Sequence, residues 1–288
     1  MTHDSPAAPR HALWAAHRRR MGGGPSRFHD DDLPGADPEA ILTGRTPDPI
    51  LRALFQSLYP TGTAFPLIRL GADADGGYLL PDDLDGITAC FSPGVEDRAT
   101  FEEAMTDRGI PCFLADASVA AAPSDNPLFD FIPKYIGMET RGNTIRLQDW
   151  VADKSGQLDG DMILQMDIEG AEYVTLFDTP SEVLRRFRII VIEFHMLDSL
   201  FVRSSFSMMR PVFNKLLRDF LPVHVHPNNC CGIFGIGDLA TPMIAEMTFL
   251  RRDRVSGVTG PVDLPHPLDV DCVTDHDPIP LPDCWRPA

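Results

Sequence analysis

The sequence predicts an α/β domain in which helices cover both faces of an open, mostly parallel, doubly wound sheet. Apolar strand-like runs alternate with runs of helical spacing through the middle of the chain, a pattern typical of such folds. Residues 189–192 are Ile-Ile-Val-Ile, as expected of a strand buried on both faces. Polar residues follow the main apolar runs, and ligands of these sheets bind at the carboxyl ends of the strands.

Strands and helices follow one another along the predicted domain. Residues 50–58 have apolar side chains at helical spacing and predict an amphipathic helix, and residues 206–220 predict a longer one. We expect two late strands, at 232–236 and 245–250, to pair as a C-terminal antiparallel hairpin. The other predicted elements are strands at 87–91, 111–114, 162–168 and 189–192, and helices at 100–105, 173–177 and 181–184.

The composition divides the chain into a central domain and two ends. Residues 1–48 are rich in Gly, Pro, Asp and Arg without a sustained period, which predicts a flexible N-terminal arm. Residues 49–254 form the predicted domain. Residues 255–288 are polar and rich in proline, which predicts an extended C-terminal tail.

Charge and hydropathy exclude several classes of partner. A net charge of −17 argues against nucleic acids and anionic membranes, because phosphate groups are neutralised by clustered Lys and Arg. No run approaches the roughly 20 apolar residues of a membrane helix, and the N-terminus lacks the apolar core of a secretory signal. The six cysteines include no Cys-x-x-Cys pair. We therefore expect a reduced, cytoplasmic setting.

Two polar turns follow the first two predicted strands. Gly94 lies just after the first, where the missing Cβ allows close approach to a cofactor. Asp116 lies just after the second, where nucleotide-binding folds place an acid that accepts ribose hydroxyls. One glycine and one aspartate also fit an ordinary turn between a strand and a loop.

Two carboxylates end the next two buried strands. Asp167 follows an apolar run and Glu193 ends the β-branched run. If these strands are neighbours, both side chains project into one crevice. Carboxylates held close together raise a pKa or bind a divalent cation, so Asp167 and Glu193 are candidate metal ligands.

Histidines lie near the same predicted edge. His195 points to the same side of its strand as Glu193, and His226 lies in the run His-Val-His-Pro-Asn-Asn at 224–229. The acids and these histidines together predict a functional site.

These residues resemble segments of the FkbM-type methyltransferases and their methyltransferase-like relatives. The similar segments are Met-Asp-Ile-Glu-Gly-Ala-Glu at 166–172 and Val-Ile-Glu-Phe-His at 191–195. The segments at 69–71, 75–78 and 144–150 are similar as well. The resemblance covers residues 67–252, although the loop after the first strand has a single glycine.

The resemblance implies a class I methyltransferase fold, which is Rossmann-like with seven strands, and methyl transfer from S-adenosylmethionine to a hydroxyl of a sugar or secondary metabolite. By position, Gly94 would lie under the cofactor and Asp116 would bind its ribose. Asp167 would face the methionine end or the acceptor. Asp75 and Gly77 belong to a turn that would help close the cofactor pocket.

An in-line displacement needs the acceptor oxygen about 3 Å from the methyl group and a route for its proton. His195 or His226 is the candidate base. Asp167 and Glu193 would orient that base or hold Mg²⁺ to lower the pKa of the hydroxyl. The expected acceptor is a small molecule or a glycan, neutral or cationic because the protein is acidic.

Two other functions fit the same residues. The single glycine favours a methyltransferase-like domain that binds without catalysis. A metal-dependent hydrolase would use Asp167, Glu193, His195 and His226. The first strand is not followed by Gly-x-Gly-x-x-Gly, and the chain has no Gly-x-x-x-x-Gly-Lys-Ser/Thr loop. Nicotinamide and nucleoside-triphosphate chemistry are therefore disfavoured.

Overall fold

A computed structural model describes residues 44–154, 156 and 158–287. Most of the predicted arm, residues 1–43, lies outside these residues. Residues from Thr46 onward form one compact unit. Within the described part of the chain, every helix is too short or too polar to cross a membrane.

Fifteen strands and six α-helices are assigned within the described residues. The helices are α1 (Asp48–Leu58), α2 (Thr100–Thr106), α3 (Leu147–Lys154), α4 (Glu172–Asp178), α5 (Ser181–Leu184) and α6 (Arg203–Asp219). The strands are β1 (Thr61–Gly62), β2 (Leu67–Gly71), β3 (Gly77–Pro81), β4 (Ile87–Pro93), β5 (Cys112–Ala115), β6 (Phe129–Ile132), β7 (Tyr135–Gly137), β8 (Thr144–Arg146), β9 (Asp161–Met166), β10 (Phe187–Phe194), β11 (Phe220–Pro227), β12 (Ile233–Ile236), β13 (Leu239–Pro242), β14 (Ala245–Arg251) and β15 (Gly260–Pro261).

Seven strands form the central sheet in the order β11-β14-β10-β9-β4-β5-β6. The five strands β10, β9, β4, β5 and β6 are parallel to one another, and β14 is antiparallel to both β10 and β11. The prediction of an α/β fold with a seven-stranded, mostly parallel sheet is confirmed. All eight residues of β10 are buried, as its β-branched run requires.

The chain reverses its direction of travel across the sheet beside β4. It runs from β4 to β5 and β6 on one side and returns through β9 and β10 on the other. In such sheets the ligand crevice opens at the carboxyl ends of the strands flanking this reversal. The ends of β4 and β9 are therefore where a cofactor is expected.

Alternate side chains of the sheet build two apolar clusters, one on each face. The first contains residues of β9 and β10 such as Leu164 and Ile190, and α1, α3, α4, α5 and α6 pack against it. The second contains Ile163 and Val191, and α2 packs there together with the β2–β3 hairpin. In the described residues the second face is thus covered largely by a hairpin, which the sequence did not predict.

The predicted pairing of the two late strands is wrong. The strand β12 pairs with β13 through a two-residue turn that contains Gly237 at a φ of 65°, a conformation that glycine favours. The strand β14 lies between β10 and β11. Its first six residues are buried, so it needs a neighbour on each side and cover on both faces, which β12 could not supply.

The C-terminal segment is fixed to the domain by Trp285. Its ring is fully buried and stacks on Phe55 of α1, with the ring centroids 4.7 Å apart. Its indole N–H donates to the carbonyl oxygen of Ala240 (3.1 Å). The segment also pairs β15 with β1.

Candidate active site

The carboxyl ends of four adjacent strands place the predicted polar residues at one edge of the sheet. Gly94 follows β4 directly, Asp116 follows β5, and Asp167 follows β9. Glu193 is the penultimate residue of β10. The Asp167 N–H donates to the carbonyl oxygen of Pro93 (3.3 Å), so the loops after β4 and β9 are in direct contact.

Gly94 is required by that contact. Its φ is 91°, and a Cβ placed there would lie 1.6 Å from the carbonyl oxygen of Asp167. No L side chain fits such a distance, because real Cβ atoms do not approach backbone oxygen within 3 Å. The glycine therefore lets the two loops that border the crevice cross at van der Waals distance.

Asp116 holds the loop that follows β4. One carboxylate oxygen accepts a hydrogen bond from the N–H of Glu96 (2.8 Å), and the other accepts one from the N–H of Ser118 (2.7 Å). The residue is 5% exposed. Each carboxylate oxygen has two lone pairs, so both can accept a further hydroxyl group.

Asp167, Glu193 and His195 form a buried cluster, and each is 5% exposed or less. The Nε2 atom of His195 lies 3.5 Å from Glu193 Oε1 and 3.9 Å from Asp167 Oδ1. Glu169, which is partly exposed, approaches the same nitrogen to 3.4 Å. The structure thus unites three of the sequence-predicted site residues around one imidazole nitrogen.

Glu172 fixes this cluster from the first turn of α4. Its fully buried Oε1 accepts hydrogen bonds from the N–H groups of Ile168 (3.1 Å) and Gly170 (3.0 Å). The Nδ1 atom of His195 lies 3.2 Å from the same oxygen. One carboxylate therefore sets both the path of the loop after β9 and the orientation of the imidazole.

Burial and charge act together on the groups of the cluster. Burial raises the pKa of Glu193 well above its usual value, and the nearby Asp167 carboxylate raises it further. Burial alone would lower the pKa of His195. The hydrogen bond and charge of Glu172, with the charges of Glu193 and Asp167, instead raise it well above the usual value. The cluster therefore favours a positive charge at its centre.

Three residues with left-handed backbone border this edge. Glu96, Glu169 and Met196 follow β4, β9 and β10 and have φ values of 45°, 58° and 57°. Each such conformation costs on the order of 1 kcal/mol or more in a non-glycine residue. Their occurrence after the strands that carry Gly94 and the acidic cluster fits a functional edge.

The β2–β3 hairpin packs on the face of the sheet that carries the second apolar cluster. A Cβ on Gly77 would lie 1.9 Å from the carbonyl oxygen of Ala72, so this glycine serves the tight hairpin. The hydroxyl of Tyr78 accepts a hydrogen bond from Gln165 Nε2 (3.1 Å). The charge of Asp75 makes a small contribution to the raised pKa of Glu193.

His226 lies away from the acidic cluster. Glu246 of β14 is paired with Glu193 on one side and with His226 on the other. Neighbouring strands are about 4.8 Å apart, so two strand spacings separate His226 from Glu193. Its nearest acidic partners belong to the C-terminal segment: Asp269, 3.6 Å from Nδ1, and Asp271, 4.0 Å from Nε2.

A comparison with protein families agrees with this geometry. Residues 105–220 match the family described as the methyltransferase FkbM domain. This stretch is similar to the FkbM methyltransferase domain. It includes Asp167, Glu193 and His195 and ends before His226. No curated protein matches the chain.

Glu246 of β14, which lies outside the matched stretch, gives the protein a testable pH dependence. Burial raises its pKa to about 7 from an ordinary value of 4.5, so the folded protein holds a proton that the unfolded chain releases. Stability should fall as pH rises through this window and stay level above it. We expect the free energy of unfolding of Glu246→Gln, relative to that of the wild type, to rise by up to about 3 kcal/mol between pH 4.5 and pH 8. Urea unfolding of both proteins in metal-free buffer measures these free energies. A difference between variant and wild type that does not change with pH would contradict the prediction.

Sequence reasoning missed three buried residues beside the site. Glu172 ends the segment Met-Asp-Ile-Glu-Gly-Ala-Glu at 166–172, and the predicted helix at 173–177 did not include it. Two further residues gave weaker signals in the sequence. Glu246 is a single acid in an apolar strand, and Asn228 is an amide in a histidine-rich segment. Asn228 Nδ2 donates to Glu193 Oε1 (3.2 Å).

Proposed function

We propose that the protein transfers a methyl group from S-adenosylmethionine to a hydroxyl group of a small molecule or glycan. The observation that carries this proposal is the position of Gly94, Asp116 and Asp167 directly after β4, β5 and β9, at the carboxyl ends of the strands where the strand order reverses. Asp116 and Asp167 lie within the stretch that matches the methyltransferase FkbM domain, and reversals of this kind are where doubly wound folds bind nucleoside cofactors.

The cofactor would be bound along the edge formed by the loops after β4, β5 and β9. Asp116 has free lone pairs on both oxygens for the two ribose hydroxyls. The loop at Gly94 would lie beneath the nucleoside. Asp167 would face the methionine end of the cofactor. The methyl group would then point toward the other two members of the cluster, Glu193 and His195.

The acceptor would bind against the acidic cluster. The sulfonium methyl is already electrophilic, so the main task is to hold an acceptor oxygen in line and about 3 Å away. Asp167 and Glu193 can accept hydrogen bonds from the acceptor hydroxyl. A histidine base or a bound divalent cation such as Mg²⁺ would promote loss of its proton. Of the two histidines, His195 is the one that contacts Asp167 and Glu193, so it is the histidine within reach of an acceptor bound there.

Formation of S-adenosylhomocysteine tests the proposal directly. The purified chain would be incubated with S-adenosylmethionine and a panel of sugars, glycosides and phenolic or aliphatic alcohols. We expect product in the presence of some hydroxyl acceptors and none when the hydroxyl is already methylated. Turnover only with amine or thiol acceptors would contradict hydroxyl transfer.

Asp116→Asn should weaken cofactor binding. The substituted amide keeps one acceptor oxygen but turns an NH₂ group toward a backbone N–H, Glu96 or Ser118, that now needs an acceptor. We expect the Kd for S-adenosylmethionine to rise by about tenfold, roughly 1.4 kcal/mol. Calorimetric titration measures the change. Asp97→Asn, on the loop after β4 that Asp116 holds, is the matched control, because the Asp97 side chain is 75% exposed. An equal effect there would contradict the assignment.

A further inference from the structure

We propose that Asp167, Glu193 and His195 form a binding site for a first-row divalent transition metal, such as Mn²⁺, Fe²⁺ or Zn²⁺. One potential ligand atom from each residue lies within 4.8 Å of the others, and all three side chains are buried. Among the described residues this is the one group of acids, histidines and cysteines that converges so closely. The site lies on the acceptor side of the proposed cofactor crevice.

The orientation of His195 is that of a metal ligand. Its Nδ1 atom faces the buried carboxylate of Glu172 (3.2 Å), which is itself held by two backbone N–H groups. Its Nε2 atom is turned toward Asp167 and Glu193. Histidines that bind metals almost always donate their other N–H to a carboxylate, carbonyl or water, which fixes the tautomer. The Glu172 contact supplies that arrangement.

Glu193 has a coordination site to spare. Its Oε1 accepts the hydrogen bond from Asn228 (3.2 Å), while its Oε2 is buried and has no hydrogen-bond partner among the described residues. A buried carboxylate oxygen without a partner is costly. A metal ion would satisfy it and would also supply the positive charge that the surrounding carboxylates favour.

The distances fit a small ion. Metal–ligand bonds of about 2.1 Å place neighbouring ligand atoms about 3.0 to 3.4 Å apart. His195 Nε2 lies 3.5 Å from Glu193 Oε1 and 3.9 Å from Asp167 Oδ1, and one ligand atom of each residue lies within 4.8 Å of the others, so the three side chains would move closer together around one ion. Glu246, which is paired with Glu193 on the neighbouring strand, does not belong to this group. The site is therefore defined by three particular side chains and not by every buried acid nearby.

The imidazole decides which metal fits. Mg²⁺ and Ca²⁺ take oxygen ligands, whereas a mixed set of one imidazole and two carboxylates suits first-row transition metals. Three protein ligands leave positions open for other oxygens. If the proposed function holds, one of those positions takes the acceptor hydroxyl, whose pKa the metal lowers.

Mn²⁺ binding to the full chain tests the site without any assay of activity. The chelator-treated protein would be titrated with Mn²⁺ while the electron paramagnetic resonance signal of free Mn²⁺ is recorded. We expect a single site of micromolar affinity whose bound spectrum shows coupling to one directly bound nitrogen. His195→Gln should remove the nitrogen coupling and most of the affinity. Glu172→Gln should keep the coupling and weaken binding about 10- to 100-fold.

The matched control is Glu246→Gln, which changes a buried glutamate one strand further along the same row. We expect its Mn²⁺ affinity to stay within about threefold of the wild type. The proposal is overturned if folded wild-type protein binds neither Mn²⁺ nor Zn²⁺ below about 1 mM, if bound Mn²⁺ shows no nitrogen coupling, or if Glu246→Gln weakens binding as much as Glu193→Gln. Circular dichroism confirms the fold of each variant. Metal binding without cofactor binding would support this site and contradict the proposed methyl transfer.

Discussion

Asp167→Asn is expected to fold normally and to lose methyl transfer by on the order of 10³-fold or more. Asp167 ends β9 beside the crevice and is 2% exposed. The amide keeps the size of the side chain but removes the charge that orients the acceptor and the neighbouring imidazole. Because the residue stands among other carboxylates, loss of one charge also relieves repulsion, so the fold should not suffer.

The rate of S-adenosylhomocysteine formation measures this effect, and urea unfolding verifies the fold. Asp97→Asn again serves as the control, since it removes an exposed carboxylate from the neighbouring loop. We expect that control to keep the wild-type rate within about twofold. An Asp167→Asn protein with more than a tenth of the wild-type rate would refute the role given to this carboxylate.

Gly94→Ala is expected to destabilise the domain by about 4 kcal/mol or more. The added methyl group would meet the carbonyl oxygen of Asp167 at 1.6 Å, and the backbone there has a φ of 91°. The loops after β4 and β9 would have to separate, which breaks the hydrogen bond from the Asp167 N–H to Pro93. Urea unfolding of the variant measures the loss.

Gly142→Ala separates the steric cost from the conformational one. Gly142 also has a positive φ, 59°, but a Cβ placed there would meet no atom of the described residues within 4 Å. We expect this variant to lose only about 1 to 2 kcal/mol, the cost of a left-handed alanine. Equal losses at Gly94 and Gly142 would show that the contact with Asp167 is unimportant.

The sequence was sufficient to place the acids at the carboxyl ends of the strands. Asp167 and Glu193 each follow a run of apolar residues, and period-two alternation puts His195 on the same side as Glu193. These are local properties of single strands. They can therefore be predicted without knowing which strands pair with one another. The structure confirms that Asp167, Glu193 and His195 lie close together.

The position of His226 could not be predicted in the same way. It depends on which strand lies between β10 and β11, and β14 is inserted there from later in the chain. Pairing between strands distant in sequence is decided by packing on both faces of the sheet, which no local pattern records. The same insertion brings Glu246 beside Glu193.

The role of Glu172 shows a second limit. The sequence gives three acids around Gly170 but does not tell which of them turns inward. Glu169, whose backbone is left-handed, stays 41% exposed and approaches Nε2 of His195, while Glu172 in the first turn of α4 is fully buried and faces Nδ1. Loop conformation therefore decides which acid orients His195.

Calorimetric titration with S-adenosylmethionine and S-adenosylhomocysteine, with and without Mg²⁺ or Mn²⁺, tests the central claim most directly. We expect micromolar binding, on the order of −8 kcal/mol, with the two ligands competing for one site. Failure of both ligands to bind the folded protein under every condition would contradict the claim, and would identify the chain as a methyltransferase-like domain without cofactor chemistry.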